Sequence, residues 1–499
     1  MNNYITKYES LLRNNSSSYW QKKGEIKVLE LFHSMAQRVP AYRKYLQNLA
    51  IKHQSVKTIA DFKQIPPIDK ENYLRRYSLE ELCWDGSFNK EQWIISTTSG
   101  STGEPFYFPR TNAQDREYAL TAELYLRNNF SIERNTTLYI NGFAMGAWIG
   151  GVFTYQAITD IAQTGKYPLS IISPGIFKPE IIKAINNLGS KFDQIIIGGY
   201  PPMIKDMIDD AIQSGIDWSN YNVGFVFSAE GFSEEFRSYI IRKAQLANYY
   251  TSTINHYGSV DLGTMAHETP LSIFIRKDLI SSPRRYINIF NDFYRLPTLA
   301  QYNPLQFYFE EVDERLYCSA YSGIPLVRYD LKDHGGVYGF DEMLALYQSD
   351  GISLMEKIKG LELGKSIWRL PFVYVYERSD FIVKLYGANI YPETIRKVLN
   401  SYFAKQLTGK FTAEINYDDD HNQYLVINIE MKKGVKQTKV LIKLLTDEIT
   451  KRLLKENSEF RSNYKESPLR QRPHIVLWEY ESSKYFTPGV KQKWVLSEK

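Results

Sequence analysis

Residues 97–105 read Thr97-Thr98-Ser99-Gly100-Ser101-Thr102-Gly103-Glu104-Pro105, small hydroxyl side chains and two glycines with nothing apolar to bury. Packing against a core does not account for such a stretch. It follows the apolar, strand-like Trp93-Ile94-Ile95 and precedes Phe106-Tyr107-Phe108, so the pattern predicts a strand, a tight loop and a second strand. Gly100 and Gly103 permit positive φ and close approach of the backbone to a ligand. Ser99, Ser101, Thr102 and the free backbone N–H groups can then donate hydrogen bonds to anionic oxygens, the chemistry of a phosphate cradle. The same residues also suit a solvated Ser/Gly turn.

Other nucleotide loops are excluded by their spacing. Gly360-Leu361-Glu362-Leu363-Gly364-Lys365-Ser366 imitates a Walker loop with three residues between its glycines instead of four, and the apolar run Ile367 to Tyr376 after it reads as strand, not helix. No G-x-G-x-x-G opens a helix after a strand, and no G-x-S-x-G marks a hydrolase elbow.

A chain of 499 residues, 43% hydrophobic and 23% charged, can bury a large core and is too long for one compact domain, so at least two are expected. The net charge of +5 is spread out, with no basic block dense enough to neutralise a run of phosphates; a nucleic-acid partner is not expected. Cys83 and Cys318 stand far apart without metal-ligand spacing, against a disulfide scaffold, a zinc site or an iron–sulfur cluster. Met1-Asn2-Asn3-Tyr4-Ile5 lacks a basic region followed by an apolar core, and no apolar run approaches the roughly 20 residues of a membrane span. The expectation is a cytoplasmic protein in a reducing compartment.

Residues 1–60 look helical: Leu29, Phe32, His33 and Met35-Ala36 recur near a 3.6 period, and Pro40 closes the segment. Ile65-Pro66-Pro67-Ile68-Asp69-Lys70 is a rigid connector, after which Asp69 can cap a helix starting at Lys70. From residue 97 to about 340, helical patterns such as Arg116 to Asn129 alternate with short apolar runs, Leu138-Tyr139-Ile140, Gln194 to Ile197 and Val223 to Phe227. That rhythm predicts an α/β domain with largely buried sheets.

Several connections in this region attract attention. Asn141 to Gly151 mixes glycines with Phe143 and Trp148, as the wall of a pocket for a flat or apolar ligand does; a buried glycine-bearing helix start fits equally. Gly198-Gly199-Tyr200-Pro201-Pro202 and Ser228-Ala229-Glu230-Gly231 each end an apolar run, where ligand loops sit in open α/β sheets. In His256-Tyr257-Gly258-Ser259-Val260-Asp261 a carboxylate follows an aromatic-Gly-Ser turn and could hold a metal beside phosphates, or simply cap a helix. Gly323 to Asp333 places Arg328 and Asp333 after an apolar strand; Asp333 could accept two ribose hydroxyls, or the two could form a surface ion pair.

A boundary is expected near Glu377-Arg378-Ser379-Asp380, with a small α/β unit beyond it. Phe381 to Leu385 and Tyr424 to Ile429 alternate like strands, and Leu441, Leu445, Ile449 and Leu453 form an amphipathic helix stripe. The aspartates of Asp418 to Asp420 read as a solvated turn. The end is strand-like Ile475 to Trp478, then Thr487-Pro488-Gly489-Val490-Lys491-Gln492-Lys493-Trp494, a loop displaying two lysines.

Taken in order, these motifs resemble the adenylate-forming superfamily, in its phenylacetate-CoA ligase branch and capsular-polysaccharide-type relatives. Thr98 to Pro105 resembles the phosphate loop and Ser228 to Gly231 the adenine-side loop. Tyr257-Gly258-Ser259-Val260-Asp261 is similar to a Y-G-x-x-E motif, and Pro325 to Asp333 to a P-L-x-R-Y-x-x-x-D ribose motif. Arg378-Ser379-Asp380 with Tyr386 to Pro392 resembles the hinge and the start of the mobile domain. The likeness spans roughly residues 20–499.

The resemblance implies a large N-terminal adenylate-forming domain over 1–377, including the helical lead-in of 1–60, with packed β-sheets and helices. A small mobile C-terminal α/β domain would cover 378–499. It implies a ligase using ATP and Mg²⁺ to turn a carboxylic acid, here an aromatic one given Phe143, Trp148, Tyr200 and His256, into an acyl-adenylate. Transfer to CoA, a carrier protein or an amine would follow. Ser99, Gly100, Ser101, Thr102, Gly103, Ala229, Glu230, Tyr257, Gly258, Ser259, Arg328, Asp333 and Arg378 would bind nucleotide, and Asp261 the metal, where relatives have Glu. Lys491, with Lys493 as alternative, would bridge carboxylate and α-phosphate, and Asp380 would be the hinge. The branch's cysteine metal cluster has no counterpart. A nucleotide-binding homologue without turnover is the other reading, favoured by Asp261.

Overall fold

A computed structural model describes residues 3–97, 106–147, 149–290, 297–361, 363–376, 383–386, 388–418, 423–487 and Trp494. The apolar runs that looked too continuous for a half-exposed strand are the middle of an eleven-stranded sheet. Leu169–Ile172, Thr137–Asn141, Gln194–Gly199, Val223–Ser228 and Thr253–Ser259 lie side by side in that order, all parallel. Helices cover both faces, which is why neither face could be polar. Tyr139, Ile196, Val226 and Ile254 pack against Asn112–Phe130 and Ile149–Gly165. Leu138, Ile140, Ile195, Ile197, Phe225 and Phe227 pack on the other side against Lys178–Leu188, Pro201–Gln213 and Glu234–Lys243.

After Ser259 the chain doubles back as Gly263–His267, placing His256 opposite His267. The sheet continues antiparallel through Thr298–Gln301 and Phe372–Val375 into Leu326–Tyr338, thirteen residues long, and ends in Arg315–Ala320 and Phe307–Val312. The strand expected at residue 326 thus runs further than its motif, because one half pairs with Arg315–Ala320 and the other with Phe372–Val375. The Walker-like stretch gives 3₁₀ turns at Leu363–Ser366 followed by strand, so its rejection holds.

Two local readings need correction in the N-terminal region. Pro40 does not only end the helix Ser17–Arg38; it sits at the first position of the next one, Pro40–Asn48, where its missing N–H costs nothing. Asp69 does cap, its Oδ1 accepting from the Glu71 and Asn72 N–H groups at 2.9 and 2.7 Å, but what it caps is a turn leading to the 3₁₀ helix Leu74–Arg76. The connector itself lies along the sheet: Ile68 N–H donates to Arg328 O at 3.2 Å and Asp330 N–H to Ile68 O at 2.9 Å.

From Val383 onward a second unit has its own core. Leu407–Tyr417 pairs with Gln423–Met431, and His474–Trp478 adds in parallel. Leu441, Leu445, Ile449 and Leu453 on Lys439–Glu456 are all buried with Ile427 and Ile429, as the stripe predicted. The expected boundary at 377–380 and the aspartates Asp419 and Asp420 lie outside the described residues.

Candidate active site

The sequence motifs converge on the ends of the parallel strands. The loop 98–105 is outside the described residues, but its flanks are not: Ile94–Thr97 and Tyr107–Arg110 form an antiparallel pair, Thr97 opposite Tyr107. The root of that hairpin is fixed by a buried group that the sequence reading missed. Arg110 Nη1 donates to Ser96 Oγ at 2.5 Å and Nε to Asp115 Oδ1 at 3.1 Å, joining both strands to the helix Asn112–Phe130. Thr97 N–H donates to Ala147 O at 3.1 Å, which brings the glycine-rich segment after Asn141 against the loop's base.

Ala229 follows Val223–Ser228 with φ of 75°, a left-handed conformation unusual for a residue with a Cβ. The surroundings hold this turn in place. Asn255 Nδ2 donates to Glu230 O at 3.1 Å, and Arg276 Nη2 to Phe232 O at 2.7 Å. Arg276 belongs to a fully buried quartet, with Arg276 on Glu234 at 2.9 Å and Glu268 at 2.7 Å, and Arg237 on Glu234 at 2.9 Å and Glu268 at 2.6 Å. Burial raises the Glu234 carboxyl, but Arg237 and Arg276 outweigh it and hold it below its ordinary range.

Tyr257 and Asp333, 76 residues apart, meet: the Tyr257 hydroxyl donates to Asp333 Oδ2 at 2.7 Å. Gly258 and Ser259 end the same strand ahead of the turn at residues 260–262; a Cβ on Gly258 would come within 2.5 Å of Gly263 O, and Ser259 Oγ accepts from Leu262 N–H at 3.3 Å. Arg328 does not join this group. Its guanidinium donates to Lys63 O and Ile65 O and pairs with Glu310 at 3.2 Å, so it anchors the N-terminal connector instead.

Asp261, expected to hold a metal, is occupied by protein groups. The Tyr329 hydroxyl donates to its Oδ2 at 2.6 Å, and the Lys70 ammonium stands 3.3 Å from its Oδ1. A cation site beside this carboxylate is therefore taken by an ammonium, and no group of three or more His, Cys, Asp or Glu able to hold a metal occurs among the described residues. The described residues around Asp261 do not form a protein-built Mg²⁺ site. Lys70 could be found only through tertiary structure, since in sequence it ends a Pro-Pro connector.

The rings of Phe143 and Tyr200, two of the residues expected to line an acyl pocket, meet edge to face at 5.5 Å. His256 faces the helices, its ring 4.9 Å from that of Tyr125 and 6.5 Å from that of Tyr118. Burial, then His267, pushes the His256 pKa down to about 3. Trp148, Arg378, Asp380, Lys491 and Lys493 lie outside the described residues. Trp494 does not: it is buried, its carbonyl accepts from Ala413 N–H at 2.8 Å, and Arg396 lies 4.3 Å over its ring. With Glu230, Gly231, Phe232 and Lys205 it lines a cleft between the two units.

This is the fold of an acid–CoA ligase, built from a large sheet domain and a small α/β domain. Among solved structures it is similar to 2-hydroxyisobutyryl-CoA ligase in the postadenylation state with R3-HIB-AMP, at 13% identity and a TM-score of 0.67, covering 97% of this chain and 91% of that one. The same ligase with 2-HIB-AMP gives 14% identity and 0.64, covering 95% and 88%. With 2-HIB-AMP and CoA in the thioesterification state it gives 14% identity and 0.54, covering 97% and 90%. No family model and no curated protein matches the sequence.

Proposed function

We propose that this chain is an AMP-forming acid–thiol ligase: it joins a carboxylic acid to ATP as an acyl-adenylate and passes the acyl group to an acceptor. The observation that supports this most is the Tyr257–Asp333 hydrogen bond of 2.7 Å, which unites two distant motifs at the strand ends of a ligase fold. In this reading Asp333 accepts the ribose hydroxyls, with Tyr257 orienting it, and the Ala229–Glu230 turn flanks the adenine. Ser99, Gly100, Ser101, Thr102 and Gly103 hold the departing pyrophosphate, their dipoles offsetting the charge that develops on it. Lys491 lies between carboxylate and α-phosphate, and Asp380 with Arg378 is where the small domain pivots. Magnesium would accompany ATP as the counter-ion of its phosphates.

Phe143 and Tyr200 supply an apolar wall suited to a phenylacetate-like acid. A thiol acceptor is favoured because a ligase of this fold has been solved with CoA in a thioesterification state; a carrier protein or an amine are the other acceptors. Among the described residues no helix is long and apolar enough to cross a membrane, and both cysteines are free and buried, which supports a reducing, cytoplasmic setting.

The test is carboxylate-dependent ATP–pyrophosphate exchange over a panel of aryl, fatty and amino acids. Exchange with at least one acid, lost in Lys491→Ala and kept in Lys493→Ala, is expected. Equal loss in both variants overturns the lysine assignment. The second reading, a nucleotide-binding homologue without turnover, is favoured by the engagement of Asp261 with Tyr329 and Lys70. ATP binding without exchange for any acid would establish it.

A further inference from the structure

Two of the site motifs share a spacing: Tyr257 stands four residues before Asp261, and Tyr329 four residues before Asp333. In the folded chain they cross. The Tyr257 hydroxyl donates to Asp333 Oδ2 at 2.7 Å and the Tyr329 hydroxyl to Asp261 Oδ2 at 2.6 Å, so each tyrosine fixes the other motif's carboxylate. The second oxygen of Asp261, Oδ1, meets the Lys70 ammonium at 3.3 Å. That ammonium also lies 5.9 Å from the centre of the Phe108 ring, on the strand into which the phosphate loop returns. Phe108 pairs with Ser96, one step from the Thr97–Tyr107 pair that bounds the loop. Lys70 therefore sits between the crossed carboxylates and the flank of the loop.

The mount of this lysine is stiffer than a solvated side chain needs. Pro66 and Pro67 restrict the connector, the Tyr45 hydroxyl donates to their carbonyls at 3.4 and 3.3 Å, and Asn72 Nδ2 donates to Pro67 O at 3.0 Å. Ile68 is bridged to Arg328 and Asp330, and Asp69 Oδ2 receives the Lys332 ammonium at 2.6 Å. Arg328 holds the start of the same segment at Lys63 O and Ile65 O, from a left-handed φ of 50° that a residue with a Cβ resists. The backbone is thus fixed up to the residue before Lys70. Beyond it the side chain is 35% exposed, and Asp261 is its one polar partner among the described residues. An ammonium carries three donors, which leaves donors for an anion arriving from solvent.

We propose that Lys70 is a catalytic residue of the adenylation step: its ammonium contacts the β- and γ-phosphates of ATP, and Asp261 holds it in place. The carboxylate expected to hold a metal presents the chain's own cation instead. When a carboxylate oxygen of the acid attacks the α-phosphorus, the bond from that phosphorus to the oxygen shared with the β-phosphate breaks. Pyrophosphate leaves with the electron pair. Lys70 transfers no proton; its charge offsets the charge gathering on the leaving group. This rests on the ligase reading and adds a residue to it.

The experiment compares nucleotides with and without the β- and γ-phosphates. Binding of ATP and of AMP to the full chain is measured by calorimetry in magnesium-containing buffer, beside ATP–pyrophosphate exchange with each acid that supports it. In Lys70→Met, ATP affinity is expected to fall about 10-fold or more while AMP affinity stays within about twofold. The kcat of exchange is expected to fall about 100-fold, and Lys70→Arg, which keeps the charge, to recover part of both losses. A cycle with Asp261→Asn separates contact with phosphate from neutralisation of the carboxylate. In that background Lys70→Met is expected to lower ATP affinity again, whereas a lysine that only neutralises Asp261 has nothing left to lose. Unchanged ATP binding in a folded Lys70→Met, equal losses for ATP and AMP, or no loss in the Asp261→Asn background each overturns the proposal and leaves the ligase reading standing. Circular dichroism checks the fold, and should Lys70→Met not fold, Lys70→Gln is read by the same criteria. If the wild-type chain binds neither nucleotide, the ligase reading falls and takes the proposal with it.

Discussion

Helix Pro201–Gln213 presents three carboxylates toward the small domain, and the contacts they make define one arrangement of the two units. Lys410 pairs with Asp206, Lys432 with Asp209 at 2.9 Å, and Lys178 bridges Asp210 at 2.9 Å and Glu481 at 3.3 Å. Consider Asp206→Asn combined with Lys432→Met. Asp206 and Lys410 are 4% and 15% exposed and Asp209 and Lys432 10% and 17%, so water screens neither pair effectively. After the substitutions Lys410 keeps Glu430 at 3.4 Å, and Asp209 keeps Lys205 at 3.2 Å and the Tyr239 hydroxyl at 3.0 Å. No charge is orphaned inside either unit, and the loss falls on the interface. Hydrogen bonds to charged groups contribute roughly 1.5–3 kcal/mol each, and neighbours one helical turn apart are not additive, so about 3 kcal/mol in total is a fair expectation. That is a shift of about 100-fold in the ratio of docked to undocked arrangements.

Energy transfer between dyes at Arg134 and Lys451, both largely exposed, reports that ratio. The double variant should show a much larger population with the units apart, at unchanged circular dichroism. An identical distance distribution in wild type and variant would falsify the idea that these pairs set the arrangement.

Other expectations follow from single contacts. Tyr257→Phe removes the hydroxyl that donates to Asp333 and should raise KM for ATP about 10-fold with little change in kcat, measured by exchange at varied ATP. Arg276→Met leaves Glu234 and Glu268 sharing Arg237 alone in a fully buried setting, and should lower unfolding stability by about 3–5 kcal/mol, read from the urea midpoint. His267, pushed down to about 4 by burial, is neutral in the folded chain at pH 5, whereas the unfolded chain, titrating near 6.5, is protonated. The folded state then binds fewer protons, so stability is full above about pH 6.5 and falls as pH drops toward 4; between pH 7 and 5 this one group removes about 2 kcal/mol. His267→Phe should flatten that part of the pH dependence, and an unchanged slope would mean that the ring charges in the folded state.

Much of the architecture was legible because it is local. Alternation of apolar runs with helical patterns gave the buried parallel strands, and the spacing of Leu441, Leu445, Ile449 and Leu453 gave the helix and its inward face. The site was legible only as separate pieces. Residues such as Ala229 and Tyr257 announce themselves by the composition around them, but nothing in a sequence says which distant segment a side chain will meet. Arg328 illustrates this: its motif pointed to the nucleotide, yet the connector at Lys63 and Ile65 has carbonyls that lie nearer and need a donor.

By itself, then, the sequence determined that apolar runs such as Gln194 to Ile197 and Val223 to Phe227 are strands and which face of the helix carrying Leu441, Leu445, Ile449 and Leu453 is buried, since those follow from side-chain size, polarity and periodicity over a few residues. Tertiary structure alone decided that Asp261 receives Tyr329 and Lys70 in place of a free coordination sphere, that Arg276 braces the Ala229 turn, and that three lysines meet the carboxylates of one helix. Those outcomes depend on which residues the sheet order brings within hydrogen-bond reach across tens to hundreds of positions, and on the desolvation that comes with it. Neither distance nor burial is written in the chain until it folds.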